Sequence, residues 1–258
     1  MTEMLDFMRV LADAAAGETL SRFRRRPAID NKLADGFDPV TEADREAERA
    51  IRALLGERFP ADGILGEEFG ITNGDSARRW VIDPIDGTRA FISGLPLWGT
   101  LVGLTENGRA TAGMMSQPFT GELYAADESG AYLEKSGERA RLKASGVTEL
   151  SEATICTTTP ALFIDGKRPA YDRLEGSVRL ARYGTDCYAY AMLASGHVDL
   201  VVEPGLQPYD IVALIPIIER AGGVITTFGG ERPEGGGDII AAATPQLHAK
   251  ARAFLVAG

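Results

Sequence analysis

The segment Trp80-Val81-Ile82-Asp83-Pro84-Ile85-Asp86-Gly87-Thr88 decides most of what this chain can be. An apolar run that reads as a buried strand leads straight into two carboxylates three positions apart. Pro84 sets the turn between them, and Gly87 lets the main chain approach a ligand closely. Ionised carboxylates sharing one strand end repel each other unless a cation lies between them. Hard divalent cations favour such oxygen ligands, and Mg²⁺ is commonly held by one or two carboxylates together with substrate phosphate. Asp before Pro and Asp before Gly are also turn formers, so the segment alone fits a metal site or an ordinary loop.

Working outward, three further acidic positions recur at element ends. Glu67 and Glu68 follow the short apolar run Gly63-Ile64-Leu65-Gly66. Asp210 opens an apolar helix after Gln207-Pro208-Tyr209, where an acid also complements the helix dipole. Asp44 closes the capping box Thr41-Glu42-Ala43-Asp44, ahead of the stripe Ala47, Ala50, Ile51, Leu54 and Leu55. Each of these acids has a purely structural explanation when taken singly.

Around these motifs the patterning alternates between helix and strand. A helix is expected from Glu3 to Arg26, stopped by Pro27, its terminal arginines Arg22, Arg24, Arg25 and Arg26 complementing the carboxyl end or meeting a phosphate or a subunit. Strands are expected at Trp98 to Leu104, Thr111 to Ser116 and Leu123 to Ala126, with turns at Asn107-Gly108 and Thr120-Gly121. Beyond Leu150 the reading is a strand at Ala153 to Thr157, a helix at Asp186 to Ser195 and a strand at Leu200 to Glu203. A helix at Tyr209 to Ala221, strands near Gly223 to Thr227 and Asp238 to Ala242, and a helix capped by Thr244 with Pro245 behind it complete the chain. Gly229 to Gly237 reads as a surface loop. The pattern implies layered α+β or α/β architecture with sheets covered by helices.

Composition narrows the function. The chain has 258 residues and 45% hydrophobic content, enough for a substantial core, and a formal net charge of −10. That far field disfavours nucleic acid and anionic membrane as partners, so an anionic substrate needs local help. The acids at Glu3 and Asp6 stand where a secretory leader would be basic, and no apolar run is long enough to span a membrane, so a cytoplasmic location is expected. Cys156 and Cys187 lack metal-ligand spacing and read as buried. His197 reads as a loop residue near a pocket, and His248 as a surface residue of the last helix.

Four ordered motifs together resemble the inositol monophosphatase superfamily. They are Asp38-Pro39-Val40-Thr41-Glu42-Ala43-Asp44, Gly66-Glu67-Glu68, the Trp80 to Thr88 segment, and Tyr209-Asp210 leading to Ala221-Gly222-Gly223. The resemblance implies one catalytic unit over residues 1–258 with alternating αβαβα layers. An N-terminal half, 1–145, would carry most metal ligands and a C-terminal half, 146–258, would carry Asp210 and substrate contacts. It implies a lithium-sensitive, Mg²⁺-dependent phosphomonoesterase using two to three ions, and a homodimer. By position, Glu67, Asp83 and the Ile85 carbonyl would hold one ion, and Asp83, Asp86 and Asp210 a second. Glu67 would also touch a looser third ion, Asp44 and Thr88 would orient the attacking water, and Glu68 would be a neighbour. The amides of Gly87 and Thr88 offer the phosphate an anion site, and Lys32, in the loop from Asn31 to Asp38, is a lid candidate.

Two departures bear on the substrate. Arg89-Ala90-Phe91 after Asp-Gly-Thr, and Gly184-Thr185-Asp186-Cys187-Tyr188-Ala189-Tyr190 with Tyr209 before Asp210, look like the histidinol-phosphate phosphatase branch. Asp186 and Glu203 form an acidic pair suited to a cationic alcohol, although Asp186 could equally cap the helix beginning at Cys187. The resemblance thus implies hydrolysis of L-histidinol phosphate in histidine biosynthesis. An inositol-1-phosphatase, a broad small-molecule phosphatase and a non-catalytic metal-dependent binder are the alternatives.

Overall fold

In the computed structural model, the described residues are 2–25, 29–31 and 39–256. The first part of the chain runs α1 (Glu3–Leu20), β1 (Ile29–Asn31), β2 (Pro39–Thr41), α2 (Glu42–Arg58), β3 (Gly63–Gly66), β4 (Gly70–Thr72), β5 (Arg78–Asp86) and α3 (Thr88–Ile92). A meander follows: β6 (Gly99–Glu106), β7 (Arg109–Gln117), β8 (Glu122–Asp127), β9 (Gly130–Lys135) and β10 (Glu138–Arg141). The remainder is β11 (Thr154–Thr157), α4 (Arg168–Glu175), β12 (Leu180–Tyr183), α5 (Asp186–Ala194), β13 (Leu200–Leu206), α6 (Pro208–Ile211), α7 (Leu214–Arg220), β14 (Val224–Thr227), β15 (Gly237–Ala242) and α8 (Pro245–Leu255).

Two large sheets result, an eight-stranded one in the order β10-β9-β8-β7-β6-β5-β3-β4 and a five-stranded one in the order β12-β11-β13-β15-β14. Strand alternation assigns their faces. Trp80, Ile82, Val102, Leu104 and Met114 face α1 and α2, meeting Met8, Leu11, Ile51 and Leu55. Leu101 and Met115, on the opposite face, meet α5 and α7 through Leu193, Leu214 and Ile217. The same central helices cover Cys156, Val201, Ile239 and Ala241 of the second sheet. The outer face of that sheet, with Ile155, Val202 and Ile240, packs on Tyr171, Leu174 and Leu247 of α4 and α8. The layers are therefore α, β, α, β, α, as the family resemblance implies.

Several elements depart from the sequence reading. The first helix ends at Leu20 instead of Arg26. Phe23 turns inward onto Phe91 and Trp98, and Arg24 takes a positive φ of 62°, which helical continuation forbids. Arg22 serves the helix carboxyl end as expected, its Nη1 donating to the Glu18 carbonyl at 2.9 Å and pairing with the Glu18 carboxylate, whereas the Arg24 guanidinium lies over Phe119 and its Nε donates to the Gly94 carbonyl. Arg26 and Pro27 lie outside the described residues. The helix expected from Tyr209 to Ala221 is two, α6 and α7, because Pro216 has no N–H for the carbonyl of Val212. His248 is buried at 8% exposure, with Nε2 2.9 Å from the Thr226 hydroxyl, because α8 lies flat on the sheet. The sequence reading lacks strands β4, β10 and β12, which are short and lie at sheet edges, as well as β9 and helix α4.

The joint between the two sheets depends on missing side chains. Gly103 and Gly113 pair directly across β6 and β7. A Cβ at Gly103 would lie 2.7 Å from the Ala213 amide nitrogen, and one at Gly113 would overlap the Ala213 carbonyl. The α6–α7 connection thus rests its backbone on bare sheet, which carries Asp210 across to β5. Gly113→Ala is expected to lower the unfolding free energy by about 1–3 kcal/mol, measured by urea denaturation. Gly17→Ala, with nothing within 4 Å of the new methyl, is the control and should leave stability unchanged or raise it.

Candidate active site

Residues three apart on a regular strand point to opposite faces. On β5 they do not, because the strand bulges: Asp83 pairs with Leu101 and Asp86 with Gly99. Three steps on one strand match two on its partner, so both carboxylates emerge on the face turned to the central helices. The bulge is pinned by two bonds. The Thr100 hydroxyl donates to the Pro84 carbonyl at 2.8 Å, and the Ile85 amide donates to Asp83 Oδ1 at 3.1 Å.

Each remaining acid arrives from its own element with a backbone donor fixing it. The Cys187 amide, in the first turn of α5, donates to Asp86 Oδ2 at 2.6 Å. The Gln207 amide donates to Asp210 Oδ2 at 2.7 Å, within the capping box of α6. The Glu67 amide donates to the Ile82 carbonyl at 3.1 Å, placing Glu67 beside the start of the bulge. Asp44 is both cap and site neighbour: its Oδ2 accepts from the Thr41 amide at 2.8 Å and hydroxyl at 2.6 Å.

Glu67, Asp83, Asp86 and Asp210 converge on a cavity of about 180 Å³ also lined by Ile85, Gly87, Thr88, Arg89 and Asp186, whereas Asp44 is buried and does not line it. Carboxylate oxygens of Asp83, Asp86 and Asp210 lie within 4.8 Å of one another. Burial, followed by the charges of Glu67, Asp86 and Asp210, pushes Asp83 well above the ordinary carboxylate range. Asp86 is pushed up by burial and by Asp186 and Asp210, against the opposing Cys187 hydrogen bond. Asp44 rises to about 6 through burial, with Thr41 acting against it. An all-oxygen, anionic cluster whose members raise one another's proton affinity fits hard divalent cations, which would relieve that repulsion.

Gly87, at φ 86°, also belongs to this geometry: a Cβ there would press on Leu97, Trp98 and Asp186. The Thr88 hydroxyl donates to the Ile85 carbonyl at 3.0 Å. Asp186 lines the cavity as the first residue of α5, in the left-handed region at φ 41°, and is not the helix cap. Thr185 holds the cap position without a side-chain bond. Glu203 does not line the cavity; it is 2% exposed beneath Thr158, whose amide donates to it at 2.6 Å. The Thr158 hydroxyl lies 3.1 Å from Asp186 Oδ1 and 3.0 Å from Glu203 Oε1. Burial raises Glu203 to about 8. His197 is exposed and does not line the cavity, and Lys32 lies outside the described residues.

Sequence reasoning missed Thr158, Glu48 and the place of Arg89 on the cavity wall. Thr158 follows a strand end, a cue available but shared by many loops. Glu48 sits on the buried side of α2, where its spacing from Arg52 reads as a surface ion pair.

The inositol monophosphatase family model matches residues 1–256. The chain is 41% identical over 229 residues to the chloroplastic bifunctional phosphatase IMPL2 of Arabidopsis thaliana, a match covering 86% of this chain but 63% of the plant protein. It is 39% identical over 236 residues to the histidinol-phosphatase of Chlorobaculum parvum, covering 90% of this chain and 88% of that one. An inositol monophosphatase from Zymomonas mobilis has the same fold, with a TM-score of 0.86 at 37% identity, over 99% of this chain and 100% of that one. A family match over residues 1–256, together with a fold shared over nearly the whole chain, identifies the protein as a phosphatase of the inositol monophosphatase family.

Proposed function

We propose that the chain hydrolyses L-histidinol phosphate to L-histidinol and phosphate, with Mg²⁺ as cofactor. The observation that carries this reading is Asp186, an acid facing the same cavity as the metal-ligand cluster, where the cationic end of such a substrate would be recognised. The resemblance of 39% to a histidinol-phosphatase supports it. Inositol 1-phosphate is the second reading, favoured by the 37% identity to the Zymomonas inositol monophosphatase.

In this reading Glu67, Asp83 and the Ile85 carbonyl would hold one cation, and Asp83, Asp86 and Asp210 would hold another. Bound cations supply Lewis acidity, neutralising phosphate oxygens and making a nearby water more acidic. The residues do the aiming. Thr88 has committed its hydroxyl proton to the Ile85 carbonyl, so it meets an incoming water with a lone pair and accepts from it. Asp44 accepts the water's other hydrogen, directing the oxygen lone pair toward phosphorus. The amides of Gly87 and Thr88, on the cavity wall, would meet the phosphate oxygens.

Of the two acids read as a cationic subsite, only Asp186 lines the cavity. Burial raises Asp186, while the Thr158 hydroxyl and the Arg89 charge act in the opposite direction. Glu203, held protonated at neutral pH by burial, supports Thr158 as an uncharged neighbour.

Asp83→Asn is expected to reduce phosphate release at least about a hundredfold while far-UV circular dichroism is unchanged; near-normal turnover would mean the site is misassigned. Asn tolerates the left-handed backbone of position 186. Asp186→Asn should therefore fold normally and raise KM for histidinol phosphate about tenfold or more, with little change for inositol 1-phosphate. Equal effects on the two substrates, or a wild-type preference for inositol 1-phosphate, would reverse the assignment. Glu203 binds its proton more tightly folded than unfolded, so folded-state stability falls as pH rises from about 4.5 toward 8. Glu203→Gln should remove up to about 1.4 kcal/mol of that loss per pH unit, seen as a flatter dependence of melting temperature on pH than in the wild type.

A further inference from the structure

The turn carrying Glu67 is held by a buried ion pair from another layer. Glu48, on α2, has no exposed surface. Its Oε2 accepts the Glu68 amide at 2.8 Å and its Oε1 accepts the Phe69 amide at 3.3 Å. One helical turn later, Arg52 Nε donates to Glu48 Oε1 at 2.7 Å. The two remaining arms of the guanidinium reach the far side of the same hairpin, the Gly70 carbonyl at 2.6 Å and the Thr72 hydroxyl at 3.0 Å. The residues flanking Glu67 shape the space for this clamp: a Cβ at Gly66 would overlap the Glu48 carboxylate. On its other side, Glu67 is tied to β5 by its amide bond to Ile82.

Burying a carboxylate under a tight hairpin is costly unless its oxygens are met by donors. Here they are met by the hairpin's own amides and by Arg52, so the hairpin and the clamp define each other's position. The hairpin between β3 and β4 is short and near the sheet edge, and β4 itself is largely exposed. Its intrinsic stiffness is low, and the bonds from α2 supply what the sheet does not.

We propose that Glu48, braced by Arg52, is a positioning residue for Glu67 and sets the affinity of the acid cluster for divalent cation. The proposal rests on the reading of Glu67 as a metal ligand. Glu48 touches neither substrate nor metal; it acts by holding the peptide units after Glu67, as outer groups around a metal site commonly do. A Gln at position 48 offers one acceptor and one donor where three N–H groups now meet two acceptor oxygens, so at least one hydrogen bond is lost and an N–H group is opposed by another.

The test is Mn²⁺ binding to the full chain without substrate, followed by the electron paramagnetic resonance of free Mn²⁺, with thermal melting in parallel. Glu48→Gln is expected to weaken Mn²⁺ binding about tenfold or more. Gly66→Ala, which keeps the charge but displaces the carboxylate, should do the same. The double variant Glu48→Ala/Gly66→Ala should be no weaker than Glu48→Ala alone, since both act through one clamp. Wild-type Mn²⁺ binding with Glu48→Gln within twofold of it, or additive losses in the double variant, overturns the proposal while leaving the metal reading intact. If the wild-type chain binds no Mn²⁺, both fall together. Should Glu48→Gln fail to fold, Arg52→Lys decides: a loss of threefold or more with an unchanged melting temperature supports the clamp, and a smaller loss refutes it.

Discussion

Carboxylate repulsion is the constraint around which the rest of this molecule is arranged. Three acids with oxygens within 4.8 Å of one another would, fully ionised, oppose each other by about 3–4 kcal/mol for each pair at an effective dielectric near 20. Folded domains have about 5–15 kcal/mol of total stability, so such a cluster persists only if protons or cations relieve it. The raised proton affinities of Asp83 and Asp86 reflect the first route. A divalent cation offers the second at neutral pH. The net charge of −10 describes the far field correctly and misleads at this point, where bound cations would reverse the local sign and admit a phosphate.

The acids are oriented largely by main-chain amides. Ile85, Cys187, Gln207 and Thr41 each give one N–H to Asp83, Asp86, Asp210 and Asp44 respectively. An amide fixes a carboxylate's direction without bringing a full positive charge that would compete with a metal. The elements supplying these donors come from different layers, and their convergence has one steric condition. The α6–α7 connection must lie directly on β6 and β7, which Gly103 and Gly113 permit. The ligand set is thus as much a consequence of two glycines on a sheet as of the acids themselves.

Local patterning made layered sheets covered by helices readable, while the five-layer order and the grouping of the acids came from the family resemblance of four motifs, whose strand-to-acid transitions and capping box at Thr41 are local signals. What it hid was nonlocal or depended on parity. Nothing in Asp83-Pro84-Ile85-Asp86 announces that three residues will oppose two, yet that bulge alone turns both carboxylates to one side. Glu48 and Arg52 have the spacing of an exposed helical pair, and only the hairpin folded over them makes the pair buried. His248 is hidden for the same reason: a lone polar ring on α8 reads as exposed, and only the sheet beneath the helix covers the imidazole. Pro216 was visible as an interruption, but its effect, two helices in place of one, follows from the missing N–H to Val212.

Asp186 and Glu203 show most clearly why two acids in a sequence are not two charges in a site. Both stand within hydrogen-bonding reach of the Thr158 hydroxyl, at 3.1 and 3.0 Å. A hydroxyl has a single hydrogen to give. Glu203, buried and protonated to about 8, is the poorer acceptor, so the hydrogen goes to Asp186. That bond opposes the effect of burial on Asp186 and favours its ionised form. Burial thereby keeps Glu203 behind Thr158 and leaves Asp186 as the one of the pair on the cavity wall, beside an acid cluster that cations would neutralise. A substrate with a phosphate at one end and a cation at the other matches this polarity, whereas a neutral polyol phosphate would bring Asp186 no cation of its own.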